Sequence, residues 1–130
     1  MKKSEHINYW LQMAEHDLDV AQSLFETRKY DWCLYISHLV LEKTLKANYV
    51  QTNDNKIPPK THNLVKLAEL SFINLKDENK LFLDEVNDFN LEARYPDYKL
   101  KFYKICTKEF TENKFKSIKK YYQWLKSLIK

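Results

Sequence analysis

The chain has 130 residues, 22 Lys/Arg against 18 Asp/Glu for a formal net charge of +4, and no glycine, where average usage would supply about nine. The missing glycine excludes a P-loop, a G-x-G-x-x-G dinucleotide turn and a G-x-S-x-G nucleophile elbow, and it removes the residue that tight hairpins prefer. With only three prolines as well, the chain reads as all-α and, at this length, as one domain over residues 1–130.

The first helix is predicted from Ser4, its N-cap, to about Arg28. Ile7, Leu11, Ala14, Leu18, Ala21 and Phe25 make one apolar stripe, widened by Trp10 and Leu24. Lys29-Tyr30 is a short connection, and Asp31 is a good N-cap for the helix that follows.

The second helix, about Trp32 to Gln51, is apolar on two faces. Cys33, Ile36, Val40 and Ala47 form one stripe; Leu34, Leu41 and Leu45, with His38 and Tyr49 in register, form another. Such a helix is either central to a bundle or shared between a core and an oligomer interface. A bundle of this size has limited room for an enclosed helix, so Leu34, His38, Leu41 and Leu45 are assigned to a dimer interface.

Thr52 to Lys60 is polar and ends in Ile57-Pro58-Pro59, which stops helix. Thr61 then caps a short third helix that buries Leu64, Leu67 and Ala68. Asp77-Glu78 opens the fourth, where acidic side chains suit the helix dipole, and Phe82, Val86, Phe89 and Ala93 carry its stripe. Pro96 ends that helix, and a loop is predicted to about Thr107. Thr107 or Thr111 caps the last helix, with Phe115, Ile118, Tyr122, Leu125 and Ile129 inward and Lys116, Lys119, Gln123, Lys126 and Lys130 opposite. The expected architecture is an antiparallel up-down bundle of about five helices, four long and one short.

Charge is unevenly distributed. Residues 1–93 hold 11 Lys/Arg and 15 Asp/Glu, a net −4; residues 94–130 hold 11 and 3, a net +8. Solubilising lysine on an exposed helix explains this, as does an anionic partner such as RNA or an acidic protein surface. No apolar run is long enough to span a membrane, and the N-terminal pattern is amphipathic, so neither membrane association nor a secretory signal is expected. Cys33 and Cys106 form no C-x-x-C pair, which suggests a reducing, cytoplasmic setting with no metal framework. The histidines, His6, His16, His38 and His62, show no zinc spacing, and no metal or cofactor is expected. The segment Arg94-Tyr95-Pro96-Asp97-Tyr98 carries the most chemistry. An arginine there can grip a phosphate with two hydrogen bonds, and Tyr95 and Tyr98 can stack on unpaired bases. In the plainer reading, Arg94 pairs with Asp97 or Glu92 and only fixes the loop.

Together, Trp10 to Ala21 (W-L-Q-M-A-E-H-D-L-D-V-A), Tyr30, Ser37 to Ala47 (S-H-L-V-L-E-K-T-L-K-A), Thr61 to Leu64 (T-H-N-L) and Ala93 to Asp97 (A-R-Y-P-D), in that order, resemble the HEPN family. The resemblance implies a dimerising helical bundle with a cleft near the dimer interface. Many members look like partners of minimal nucleotidyltransferases in toxin–antitoxin pairs. Others are ribonucleases with an arginine and, after four to six intervening residues, a histidine. Arg94 matches the arginine, but the histidine positions hold Lys99, Leu100 and Lys101, and lysine exchanges a proton near neutral pH only when its pKa is strongly lowered. The reading is therefore a non-catalytic binding module for a nucleotide, or a nucleotidyltransferase partner. Its candidate nucleotide- or phosphate-binding residues are Arg94, Tyr95, Asp97, Lys99, Lys101, Lys43, Lys46 and His62. The alternatives are a ribonuclease toxin with a degenerate site, Lys99 or His62 replacing the base, and a structural interaction module that docks through its lysine stripe.

Overall fold

The computed structural model describes residues 1–130 as six helices and no strand. They are α1 (Lys3–Glu26), α2 (Tyr30–Thr52), α3 (Leu64–Leu70), α4 (Asp77–Arg94), α5 (Pro96–Ile105) and α6 (Lys108–Ser127). The apolar stripes read from the sequence face inward. Ala14 and Ala21 of α1, Leu64, Leu67 and Ala68 of α3, Val86, Phe89 and Ala93 of α4, and Phe115, Ile118, Tyr122 and Leu125 of α6 are all buried. No helix is long and apolar enough to cross a membrane.

The second helix departs most from expectation. Leu34, His38, Leu41 and Leu45, assigned above to a dimer interface, are each 0% exposed within the single chain. The helix is central instead: α1, α3, α4, α5 and α6 all pack against α2. Room exists because small side chains on α2 (Cys33, Ser37, Thr44 and Ala47) are themselves fully buried and let neighbouring backbones come close. Ser37 and Thr44 return their hydroxyls to the carbonyls of Cys33 and Val40, each at 2.8 Å, so neither needs an outside partner.

A second correction concerns Pro96. The predicted loop to Thr107 is mostly helix, so the bundle has six helices. Tyr95 is extended (φ −99°, ψ 128°), as a residue before proline prefers, and Pro96 occupies the first turn of α5. One proline thus ends α4 and starts α5. Thr107 is confirmed as the cap of α6, its hydroxyl accepting from the Phe110 amide at 3.2 Å. At α3 the cap is Asn63 rather than Thr61. The caps of α1 and α2 are Lys2 and Lys29 rather than Ser4 and Asp31, because both helices begin earlier than predicted.

Helix ends that glycine would ordinarily close are closed by other residues. Arg28 (φ 63°) and Phe72 (φ 59°) adopt the left-handed conformation after α1 and α3. Lys29 N–H donates to the Leu24 carbonyl at 2.8 Å and Ile73 N–H to the Ala68 carbonyl at 3.0 Å, the Schellman pattern. Asp54 and Asn55 do the same work after α2, with Asn55 N–H donating to the Val50 carbonyl at 3.0 Å.

A core rather than interfacial α2 has a direct consequence. Leu41→Ala should lower the unfolding free energy by about 2–5 kcal/mol in a urea titration, as for other buried leucines. Its sedimentation behaviour should not change; an altered oligomeric state at undiminished stability would restore the interface assignment.

Candidate functional site

Two polar arrangements stand out. The first lies inside the bundle and is built on α2. Glu42 is 5% exposed, and its carboxylate accepts from Lys46 Nζ at 3.1 Å and from His62 Nδ1 at 2.8 Å. A buried carboxylate needs such partners to remain charged. One turn earlier, His38 donates from Nε2 to the His62 carbonyl at 2.8 Å and accepts at Nδ1 from the Asn90 amide at 3.3 Å. These partners assign the neutral imidazole with its proton on Nε2. Burial holds the His38 pKa below its ordinary 6.5, against the pull of Glu42. His62 itself keeps 57% of its side chain exposed.

Lys43 and Lys46 therefore do not join a groove with Arg94. Lys43 pairs with Asp17 across to α1, and Lys46 pairs with Glu42 while lying 5.3 Å from the Trp10 ring centre. His62 bonds Glu42, and its link to Arg94 is indirect, through His38 and Asn90.

The second arrangement is the α4–α5 corner. Arg94 is exposed at the end of α4. Its Nε donates to the Asn90 carbonyl at 3.3 Å, and its guanidinium lies 5.6 Å from the Tyr95 ring centre. It makes no ion pair with Asp97, Glu92 or any other carboxylate, so the guanidinium's outer edge is free. On α5 only Phe102 is buried, its ring tilted against that of Phe89 at 5.6 Å between centres. The other side chains face out: Tyr95, Tyr98, Leu100, Tyr103 and Ile105, interleaved with Lys99, Lys101 and Lys104. Lys99 lies 4.8 Å from the Trp32 ring centre and helps line a groove of about 390 Å³ with Asp31, Pro96, Leu100 and Tyr103. Lys101 sits near Glu92, whose carboxyl is pushed up by burial and by Asp88 and drawn back by Lys101. Asp97 lies exposed in the first turn of α5. Of the eight candidates, Arg94, Tyr95, Asp97, Lys99 and Lys101 lie on the continuous α4–α5 segment, with Lys99 turned toward Trp32 and Lys101 toward Glu92, whereas Lys43, Lys46 and His62 are engaged elsewhere.

The profile of the HEPN domain matches residues 7–128. The chain belongs to the HEPN domain family. No curated protein and no solved structure matches it. In this HEPN domain the expected ribonuclease histidine is absent from α5, and no histidine follows His62. Both thiols, Cys33 and Cys106, are pushed up to about 12, chiefly by burial, and are poor nucleophiles. No group of His, Cys, Asp and Glu side chains converges to hold a metal ion.

Tyr103 and Lys104 were missed because the segment after Pro96 reads as a loop, where spacing carries no facial information, and Trp32, at the start of α2, because only the packing of α5 brings Lys99 over its ring. Glu42 and Asn90 were legible in principle: Glu42 lies four residues from both His38 and Lys46, and Asn90 four before Arg94.

The neutral, buried His38 fixes a pH dependence. Unfolding frees it to bind a proton near its ordinary 6.5, so below that pH the unfolded state holds more protons and stability falls with falling pH. The melting temperature should therefore be level above about pH 6.5 and drop toward pH 5. His38→Gln should flatten that drop, as followed by circular dichroism.

Proposed function

We propose that this HEPN domain is a non-catalytic binding module whose α4–α5 corner takes the phosphates and bases of a nucleotide or a short single-stranded RNA. The supporting observation is the pairing of an arginine free of any carboxylate with exposed tyrosines and lysines on the ten-residue helix that follows it. Arg94, Lys99 and Lys101 supply the charge that phosphate requires. Tyr95, Tyr98 and Tyr103 offer ring faces, which stack on any base and so favour tolerance of sequence over selectivity. With no glycine anywhere in the chain, side chains rather than a backbone cradle hold the phosphates.

The absence of a histidine from α5 argues for binding without cleavage. His62, oriented by Glu42, is the one imidazole held as a general base would be, and it favours the degenerate ribonuclease as the second reading. The exposed Leu91, Leu100 and Ile105 beside the same corner favour a protein contact as well, either a homodimer or a nucleotidyltransferase subunit in a toxin–antitoxin-like pair. A single domain in the cytoplasm fits each of these assignments.

Fluorescence anisotropy with a labelled oligouridine tests the proposal. Arg94→Ala should weaken binding about tenfold or more at fixed salt, the scale of one charge-assisted contact. It should also reduce the slope of log affinity against log salt by about 0.7, the share of one phosphate on a single strand. The RNA should be recovered intact. Unchanged affinity in Arg94→Ala would refute the assignment, and cutting that disappears in His62→Ala would establish the ribonuclease instead.

A further inference from the structure

The groove beside the α4–α5 corner holds a group that the corner leaves unused. Pro96, Lys99, Leu100 and Tyr103 fall at i, i+3, i+4 and i+7, so they share one face of α5. That face meets Asp31, in the first turn of α2, around a cavity of about 390 Å³, within the size range of small-ligand sites. The groove begins two residues after Arg94, so it adjoins the proposed phosphate contact.

Asp31 is only 8% exposed. Its carboxylate accepts no hydrogen bond and joins no ion pair. Its oxygens are nevertheless not sealed in. The side-chain atoms of this chain that are both enclosed and unpaired are Trp10 Nε1, the two ends of Asn48 and Thr111 Oγ1. Both Asp31 oxygens therefore keep accessible surface, in a residue that lines the groove. The start of α2, which no side chain caps, sets the positive end of a helix dipole beside the carboxylate. That accounts for an acid at this position but gives it no hydrogen bond. A carboxylate so far withdrawn from water is short of donors, which a ligand can supply.

The second polar group is Lys99. It pairs with no carboxylate, and its Nζ lies 4.8 Å from the Trp32 ring centre. One acid and one base in the same groove disfavour a charged ligand, since a cation meets Lys99 and an anion meets Asp31. A neutral edge with an acceptor next to donors satisfies both. Pro96, Leu100 and Tyr103, the last 61% exposed, give the groove apolar walls, which suit a flat body. Guanine has such an edge. Its O6 accepts, and its N1–H and N2 amine donate side by side, so one carboxylate can take both in a fork. Adenine and cytosine offer a single donor group on that edge, and the one donor of uracil lies between two acceptors. We propose that this groove selects guanine, with Asp31 accepting from N1–H and the N2 amine, Lys99 donating to O6 and Tyr103 against the base. The inference rests on the reading of the corner as a nucleotide site. It adds a position that distinguishes bases, which tyrosine faces alone do not.

Fluorescence anisotropy with labelled oligouridines that carry one central guanosine, inosine or adenosine measures the preference. Guanosine should bind at least about fivefold tighter than adenosine, the lower end of a two-bond base contact. Inosine keeps O6 and N1–H but lacks the amine, and should fall between the two. Asp31→Asn, which keeps the size of the side chain, should bring the guanosine-to-adenosine ratio close to one; a ratio taken on one protein is not moved by a change in its stability. Oligouridine that binds through Arg94 with no gain from guanosine, or a gain that survives Asp31→Asn, overturns the inference and leaves the corner assignment standing. Free guanosine at millimolar concentration, followed through the Trp32 indole resonance, reads the groove apart from the corner. A saturable shift that Asp31→Asn removes supports the groove even where no RNA binds. No shift and no RNA binding overturn both assignments.

Discussion

Enclosure of α2 is the constraint on which the rest of the structure depends. A 23-residue helix packed by all five others can place polar side chains inside only if each finds a partner. Ser37 and Thr44 bond back to their own helix. His38 and Glu42 cannot, and they draw in Asn90 from α4, His62 from the α2–α3 connection and Lys46 from the next turn. The network fixes the position of α4 and, through the Asn90 carbonyl, the start of the Arg94 side chain. Burial of the leucines supplies the driving force, at about 1.5–3 kcal/mol each. The polar groups set register, because a one-turn slip would leave a buried carboxylate unpaired. Asn48, enclosed on the same helix, is left without a partner.

The glycine-free composition shapes the helix ends. A left-handed residue after a helix satisfies carbonyls that would otherwise be orphaned. Asp54 and Asn55 take that conformation at small cost, whereas Arg28 and Phe72 take it at a larger one. The missing glycines removed backbone phosphate cradles from consideration. They did not remove the turns, and they shifted the strain onto residues with side chains.

Much of the fold could be read from spacing. The stripes of α1, α3, α4 and α6 follow the helical period, and the same residues are buried. Period fails for α2 because every face is buried, so the sequence shows apolar residues all round and does not say whether a neighbour or a second copy covers them. It fails for α5 because proline signals both an ending and a beginning, and a helix anchored by Phe102 alone has no stripe to detect. The family was legible in the order of short motifs. Arg94 and its neighbours were legible as chemistry, but the separation of Lys43, Lys46 and His62 from them was not. That separation depends on ion pairs with Asp17 and Glu42, which only the packing reveals.

The two helices at the heart of this account differ in how they are held. α2 touches every other helix, while α5 packs on α4 and, more slightly, on α2. A binding face on a lightly anchored helix and a frame on a deeply buried one belong to opposite ends of the local stability range. Native-state amide hydrogen exchange, with and without oligouridine, tests this division most directly. The α2 amides should exchange only through global unfolding, the amides after the first turn of α5 through local opening, and oligouridine should slow α5 selectively. Exchange of α5 as slow as that of α2, or RNA protection confined to other helices, would contradict it.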